Sequence, residues 1–211
     1  MATRGELSLE IAADVGGRTS NDVTGPVNAA INRAIERYEQ ERFTFNVGTD
    51  STLNSVIDQH PYTLPAAVLA IHALQFLSNG RLITLRKWGY QDHLRAVENS
   101  TSSAGEPDRF AVYGRQVFIY PAPQEVAAFT FSGILRLADI PFDDDAETNA
   151  WTNEGLALIR ARAKWDLYTH RFKNAELAAV QEKETMQELA SLRRDVEQME
   201  TLGQVPACEP F

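Results

Sequence analysis

Imidazoles, thiols and clustered carboxylates carry most side-chain chemistry, and this chain offers four histidines, one cysteine and one dense acidic run. His60, His72, His93 and His170 are never four residues apart, the spacing that sets two imidazoles on one helix face, and none lies in an HExxH pattern. His170 reads as a helix C-terminal residue, where the helix dipole favours it, and His60, before Pro61, as a loop residue. The run Asp143, Asp144, Asp145, Glu147 suggests calcium, but a calcium loop counted from Asp143 needs a glycine where Thr148 stands. A local account fits better. Carboxylates just ahead of a helix favour its positive end, and Asn149 can cap that end. Cys208 stands alone, so it forms no internal disulfide and no Cys-rich zinc site. It also lacks electropositive neighbours to activate it. Gly16-Gly17 is not followed by the Lys and Ser/Thr of a phosphate loop, and there is no GxSxG. Nothing singles out a pair among the 29 Asp and Glu. No catalytic, metal or cofactor-binding residue is expected, and weight moves towards interaction.

Phe110, Tyr113, Phe118, Tyr120, Phe129 and Phe131 alternate on three strand-like segments and could stack bases. Alternating aromatics on a small sheet more often form its own core. The formal net charge is −9, and a protein that grips DNA usually shows a basic stripe. The densest basic stretches, residues 81–87 and 160–164, are short and interrupted by apolar residues, as solvated faces are. Hydrophobic content of 44% and charged content of 23% place the chain with folded globular proteins. Its 211 residues suffice for one sizeable core with a small appended subdomain. The opening MATRGELSLEIAADVGG lacks the apolar centre of a signal peptide. No window approaches the 18 apolar residues of a membrane helix. The expectation is a soluble protein folded in a cytoplasm, with no membrane anchor.

The elements that must position these residues follow from periodicity. Leu7, Leu9, Ile11, Ala12 and Val15 mark a short helix stopped at Gly16-Gly17. Val27, Ala30, Ile31, Ala34, Ile35 and Tyr38 recur at helical spacing, predicting an amphipathic helix from residue 26 to about 41, with Thr24 as cap and Pro26 in the first turn. Residues 43–47 alternate like a half-buried strand. Residues 66–77 are apolar and fit strand or helix. Ser78-Asn79-Gly80 predicts a hairpin into Leu82-Ile83-Thr84-Leu85. Residues 87–99 have helical spacing. Residues 109–113 and 116–120 form a second hairpin across Gly114-Arg115, and residues 126–137 a third strand of the same small sheet.

From Asn149 to about Thr201 the chain reads as helix, with room for a break near residues 172–174. Trp151 and Trp165 are fourteen residues apart, close to four helical turns, so one helix would show both on one side, as core or interface anchors. Ala178, Glu182, Thr185, Leu189, Leu192, Val196 and Met199 fall at alternating spacings of four and three, a heptad seam that Glu182 and Thr185 weaken. Leu189, Leu192 and Val196 are its apolar anchors. Gly203 and Pro206 end the helix. In the tail beyond, Val205, Pro206, Pro210 and Phe211 are apolar, which fits an arm docked on a neighbour or a tail folded back on its own subunit. The expected fold is α+β, mainly α: a helical bundle (residues 21–42 and 149–201) with long C-terminal helices and a small inserted antiparallel β-sheet (43–141). Residues 1–20 form an N-terminal arm and 202–211 a C-terminal tail.

Four stretches resemble the head-to-tail adaptor, or head-tail connector, proteins of tailed bacteriophages. They are IERYEQERFTFN; HPYTLPAAVLAI, similar to an extended Y-x-L-P entry; GEPDRFAVYGRQVFIYPAPQEVAAFTFSGIL, similar to a hairpin–P-x-P–strand segment; and DDDAETNAWTNEGLALIRARAKWDLYTHRFKNAELA. The likeness spans most of residues 20–200. It implies a structural virion protein of the neck region without catalysis, and a ring of subunits, commonly twelve, under the portal protein. Such a ring extends the DNA channel and docks tail or neck proteins, with the C-terminal tail reaching towards the portal. An acidic chain suits such a conduit, because DNA must slide without counterion-releasing contacts. Two alternatives stand beside this reading: another neck or tail-completion protein, and an enzyme or nucleic-acid-binding module.

Overall fold

The computed structural model describes residues 2–16, 21–59, 61–78, 80–99, 104–137, 146 and 148–203. In chain order its elements are helices α1 (Arg4–Gly16) and α2 (Asn21–Tyr38); strands β1 (Val47–Asp50), β2 (Tyr62–Thr63), β3 (Val68–Ser78) and β4 (Arg81–Lys87); and helix α3 (Tyr90–Asn99). Strands β5 (Ala104–Gly105), β6 (Arg109–Tyr113), β7 (Gln116–Tyr120), β8 (Ala122–Pro123) and β9 (Phe129–Leu135) follow. Helices α4 (Ala150–Asn153) and α5 (Leu156–Asp166), a π-helical turn (Leu167–Arg171) and helix α6 (Ala175–Gly203) complete the chain. Two compact units result: a helical unit of Met1–Asn46 with Leu137–Phe211, and a sheet unit of Val47–Arg136.

In the helical unit, the spacing read from sequence selects the buried face. α1 buries Leu7, Ile11, Ala12 and Val15, and α2 buries Val27, Ala30, Ile31, Ala34 and Tyr38 against Leu158, Ile159 and Ala163 of α5. α2 begins five residues before Pro26, which lies inside the helix. Arg160 of α5 pairs with Glu10 of α1 at 2.5 Å, and Lys164 pairs with Asp14. Buried Arg4 donates to Asn32 Oδ1 at 2.8 Å. The expected strand at 43–47 gives way to a turn. Asn46 Oδ1 accepts from the Phe43 amide at 2.8 Å, and its amide donates to the Glu41 carbonyl at 2.6 Å. A short polar side chain here outcompetes ladder pairing. Phe43 and Phe45 pack with Trp151.

The sheet unit overturns the expected fold class. Helix makes up 47% of the chain, but strand reaches 27% and builds a seven-stranded curled mixed sheet, in the order β1-β9-β3-β4-β6-β7-β2. The expected helical bundle with a small inserted antiparallel sheet is therefore incorrect. Most neighbours run antiparallel, but β4 and β6 pair in parallel at Arg86–Arg109 and Lys87–Phe110. The decisive element is β3, the segment the sequence left open. As an 11-residue strand it joins β4 on one side and β9 on the other. A separate core forms from Tyr62, Leu74, Phe76, Phe110, Ile119, Phe129 and Phe131; of the six aromatics expected there, Phe110, Phe129 and Phe131 join it, while Tyr113 is exposed. Gly133 permits the β3–β9 approach, since a Cβ there would fall 1.9 Å from the Ala70 carbonyl oxygen.

Candidate interaction surface

Asn149 is positioned as the sequence suggested. Its side chain accepts from the amides of Trp151 (2.8 Å) and Thr152 (3.2 Å), while Thr152 Oγ1 accepts from the Asn149 amide at 3.0 Å. This reciprocal cap starts α4. The helix then breaks, and Gly155 lets the chain pass the indole: a Cβ there would lie 2.9 Å from Trp151 Cε3. Trp151 and Trp165 thus sit on different helices. Trp151 is 2% exposed, with its ring edge-on to Phe43 at 5.8 Å and to Phe45 at 5.0 Å.

Trp165 is only partly buried. The Arg162 guanidinium lies over its ring, 3.9 Å from the centroid, and His170 meets its edge at 5.9 Å. A groove of about 430 Å³ opens on one side, lined by Arg33, Glu36, Arg37, Arg162 and His170. A second, of about 410 Å³, opens on the other, where Lys173, Ala175, Ala179 and Glu182 follow the π-helical turn. Arg33 donates to Asp166 at 2.5 Å, and His170 lies 3.7 Å from the same carboxylate. Such turns recur where a helix must re-aim side chains for function, and this one carries Tyr168, Thr169 and His170 between the grooves and α6. The arrangement is an aromatic ridge between two grooves of mixed charge, with Glu36 and Asp166 among the arginines of one and Glu182 with Lys173 in the other.

Among the described residues, two phenols are shifted from their ordinary pKa. Burial pushes the Tyr168 phenol upward, helped by the Asp14 charge, and burial raises Tyr62 against the opposing hydrogen bond with Val56. Both phenols serve packing: Tyr168 donates to the Asp14 carbonyl at 3.3 Å and Tyr62 to the Val56 carbonyl at 3.0 Å. Among the described residues no three His, Cys, Asp or Glu side chains gather as metal ligands. His93 is buried against Trp88, Phe118 and Tyr120. Asp143, Asp144, Asp145, Glu147 and Cys208 lie outside the described residues.

The family model of the SU10 adaptor protein matches residues 2–206. The chain belongs to the SU10 adaptor protein family. This is a family of phage head-to-tail adaptors. No curated protein matches the chain.

In this phage adaptor, α6 presents its seam much as the heptad pattern arranged it. Ala178 and Thr185 are buried, and Leu189, Leu192 and Val196 are half-buried. Thr185 is accommodated because its hydroxyl donates to the Gln181 carbonyl at 2.7 Å. Glu182 instead lines the groove beside Trp165, and Met199 is exposed. Val205, Pro206, Pro210 and Phe211 lie outside the described residues. Sequence reasoning missed the Trp165 grooves. Arg33 and Arg37, one helical turn apart, were the available signal, but Arg162 joins them from far along the chain. In the sheet unit, the cross-strand partners Leu77 and Leu82 are both exposed at the hairpin end. Among the described residues no helix of the adaptor is long and apolar enough to cross a membrane.

Proposed function

We propose that this adaptor works as one copy in a ring, as a structural part of the neck: it sits under the portal protein, extends the DNA channel and docks tail components. The observation that carries the reading is the adaptor family match along nearly the whole chain. The net charge of −9 supports it, since an acidic conduit offers DNA few counterion-releasing contacts. The half-buried Trp165 ridge with its arginines supports it too, because Trp and Arg are enriched where partners bind most strongly. The adaptor is structural and performs no turnover. It assembles in the host cytoplasm and resides at the virion neck. The apolar tail residues Val205, Pro206, Pro210 and Phe211 dock on the portal or on an adjacent subunit, and two prolines limit the freedom lost on docking. Twelve copies complete the ring.

The test is the mass of the purified full chain by size-exclusion light scattering, with and without purified portal rings. A monomer or weak oligomer that joins the portal in multiple copies is expected. A stable dodecamer without portal would contradict assembly on the portal, and failure to join portal rings would contradict the adaptor ring itself. Deleting residues 205–211 is expected to remove portal association while leaving the melting temperature unchanged.

A further inference from the structure

We infer that two opposite faces of the helical unit, the Trp165 grooves and the outer edge of α6, are the complementary halves of a head-to-tail contact between copies of this chain. The inference rests on the ring reading and names the surfaces that would make it.

The first half is aromatic with a cationic excess, its grooves holding Glu36 and Glu182 beside three cations that lack ion-pair partners among the described residues. Arg37 and Arg162 flank Trp165 on one side and Lys173 lines the groove on the other. Among the described residues none of these three cations has a carboxylate at ion-pair distance. The second half is acidic and apolar. At 3.6 residues per turn, Leu177, Val180, Glu184, Glu188, Ser191 and Asp195 fall within roughly a quarter-turn of α6. Leu177 is 43% and Val180 58% exposed. That sector contains no Lys or Arg, and Glu184, Glu188 and Asp195 have no ion-pair partner among the described residues.

The two halves cannot meet within one copy. Ala179 of α6 lines the groove beside Trp165, and the Leu177–Glu184–Asp195 edge is turned away from Ala179 by well over a third of a turn. A second copy can bring them together, with Leu177 and Val180 against the indole and the carboxylates against Arg37, Arg162 and Lys173. Two different patches in contact make a heterologous interface, and such an interface closes into a ring when its rotation permits. The charge pattern also disfavours edge-to-edge and groove-to-groove pairing, which fixes the direction of assembly.

The experiment uses full-length protein with Cys208→Ser. Copies carrying Lys173→Cys are mixed with copies carrying Val180→Cys on purified portal rings and treated with a short bismaleimide. The expected result is a cross-linked pair at least about tenfold above the control mixture of Val180→Cys with Leu82→Cys copies, a factor that corresponds to about 1.4 kcal/mol of preference. Adding Arg37→Glu and Arg162→Glu to the Lys173→Cys copy should abolish it. Adding Glu184→Lys and Asp195→Lys to the Val180→Cys copy should then restore it, which a misfolded groove variant could not do. A yield equal to the control, or one indifferent to charge reversal, overturns the inference. Amine-reactive cross-linking of wild-type protein on portal rings, beside the bismaleimide reaction of the Lys173→Cys and Val180→Cys copies there, separates the two levels: a ladder of oligomers with no cross-linked cysteine pair removes this interface and leaves the ring. No ladder removes both.

Discussion

The helical unit and the sheet unit divide the chain's charge very unequally. The helical unit carries 13 Lys and Arg against 22 Asp and Glu, the whole net charge of −9, while the sheet unit carries seven of each. Their cores differ as well. Helices meet over small residues such as Ala30, Ala34 and Ala163, whereas the sheet closes over Phe76, Phe110, Phe129 and Phe131. The difference teaches that the uneven charge sits in the helical unit, whereas the sheet unit exposes apolar side chains such as Leu77, Leu82 and Val126. The helical unit leaves charged and aromatic groups uncommitted, notably around Trp165 and along α6.

Separate cores should fail separately. Phe129→Ala is expected to cost the most, about 3–5 kcal/mol, because the ring is fully buried and touches Tyr62, Phe76 and Phe131. Hydrogen exchange should then accelerate in β3 and β9 and stay unchanged in α2 and α5. Trp151→Ala should cost a similar amount with the reverse pattern. Uniform acceleration in either variant would break the comparison. Gly133→Ala should cost about 3 kcal/mol, since backbone must move to admit the methyl group. A denaturation midpoint equal to wild type would show that the β3–β9 approach is looser than described.

Smaller effects sharpen the contrast. Trp165→Ala should lower stability by only ~1–2 kcal/mol, as befits a half-buried side chain, yet weaken self-association strongly. An unchanged melting temperature would show that Trp165 contributes no packing to the helical core. Asn149→Ala should cost about 1 kcal/mol through loss of the reciprocal cap. Smallest is Arg193→Ala. Arg193 grips Glu41 at 2.8 Å, but both side chains are over a third exposed, so solvent screening leaves at most ~0.5 kcal/mol. Thermal melts of the three variants should rank in that order.

The helices were legible because their apolar residues recur at three and four, and Asn149 announced its cap by residue type and place. The sheet was less so. Strand β3 reads VLAIHALQFLS, nearly unbroken in apolar residues, and register shifts against β9 between Val68 and Ala70 and between Ile71 and Ala73 interrupt any two-residue period. Strand β2 is two residues long, and β4–β6 pairing rests on two register pairs, so neither leaves a pattern. The groove was hidden for a related reason: Arg33 and Arg162 are brought together only by the packing of α2 on α5.

Hydrogen exchange of the full chain before and after addition of purified portal rings tests most directly whether the helical unit is the assembling side. The account predicts new protection at residues 33–38 and 160–195, with β3 and β9 unchanged. Protection confined to residues 47–136 would contradict it.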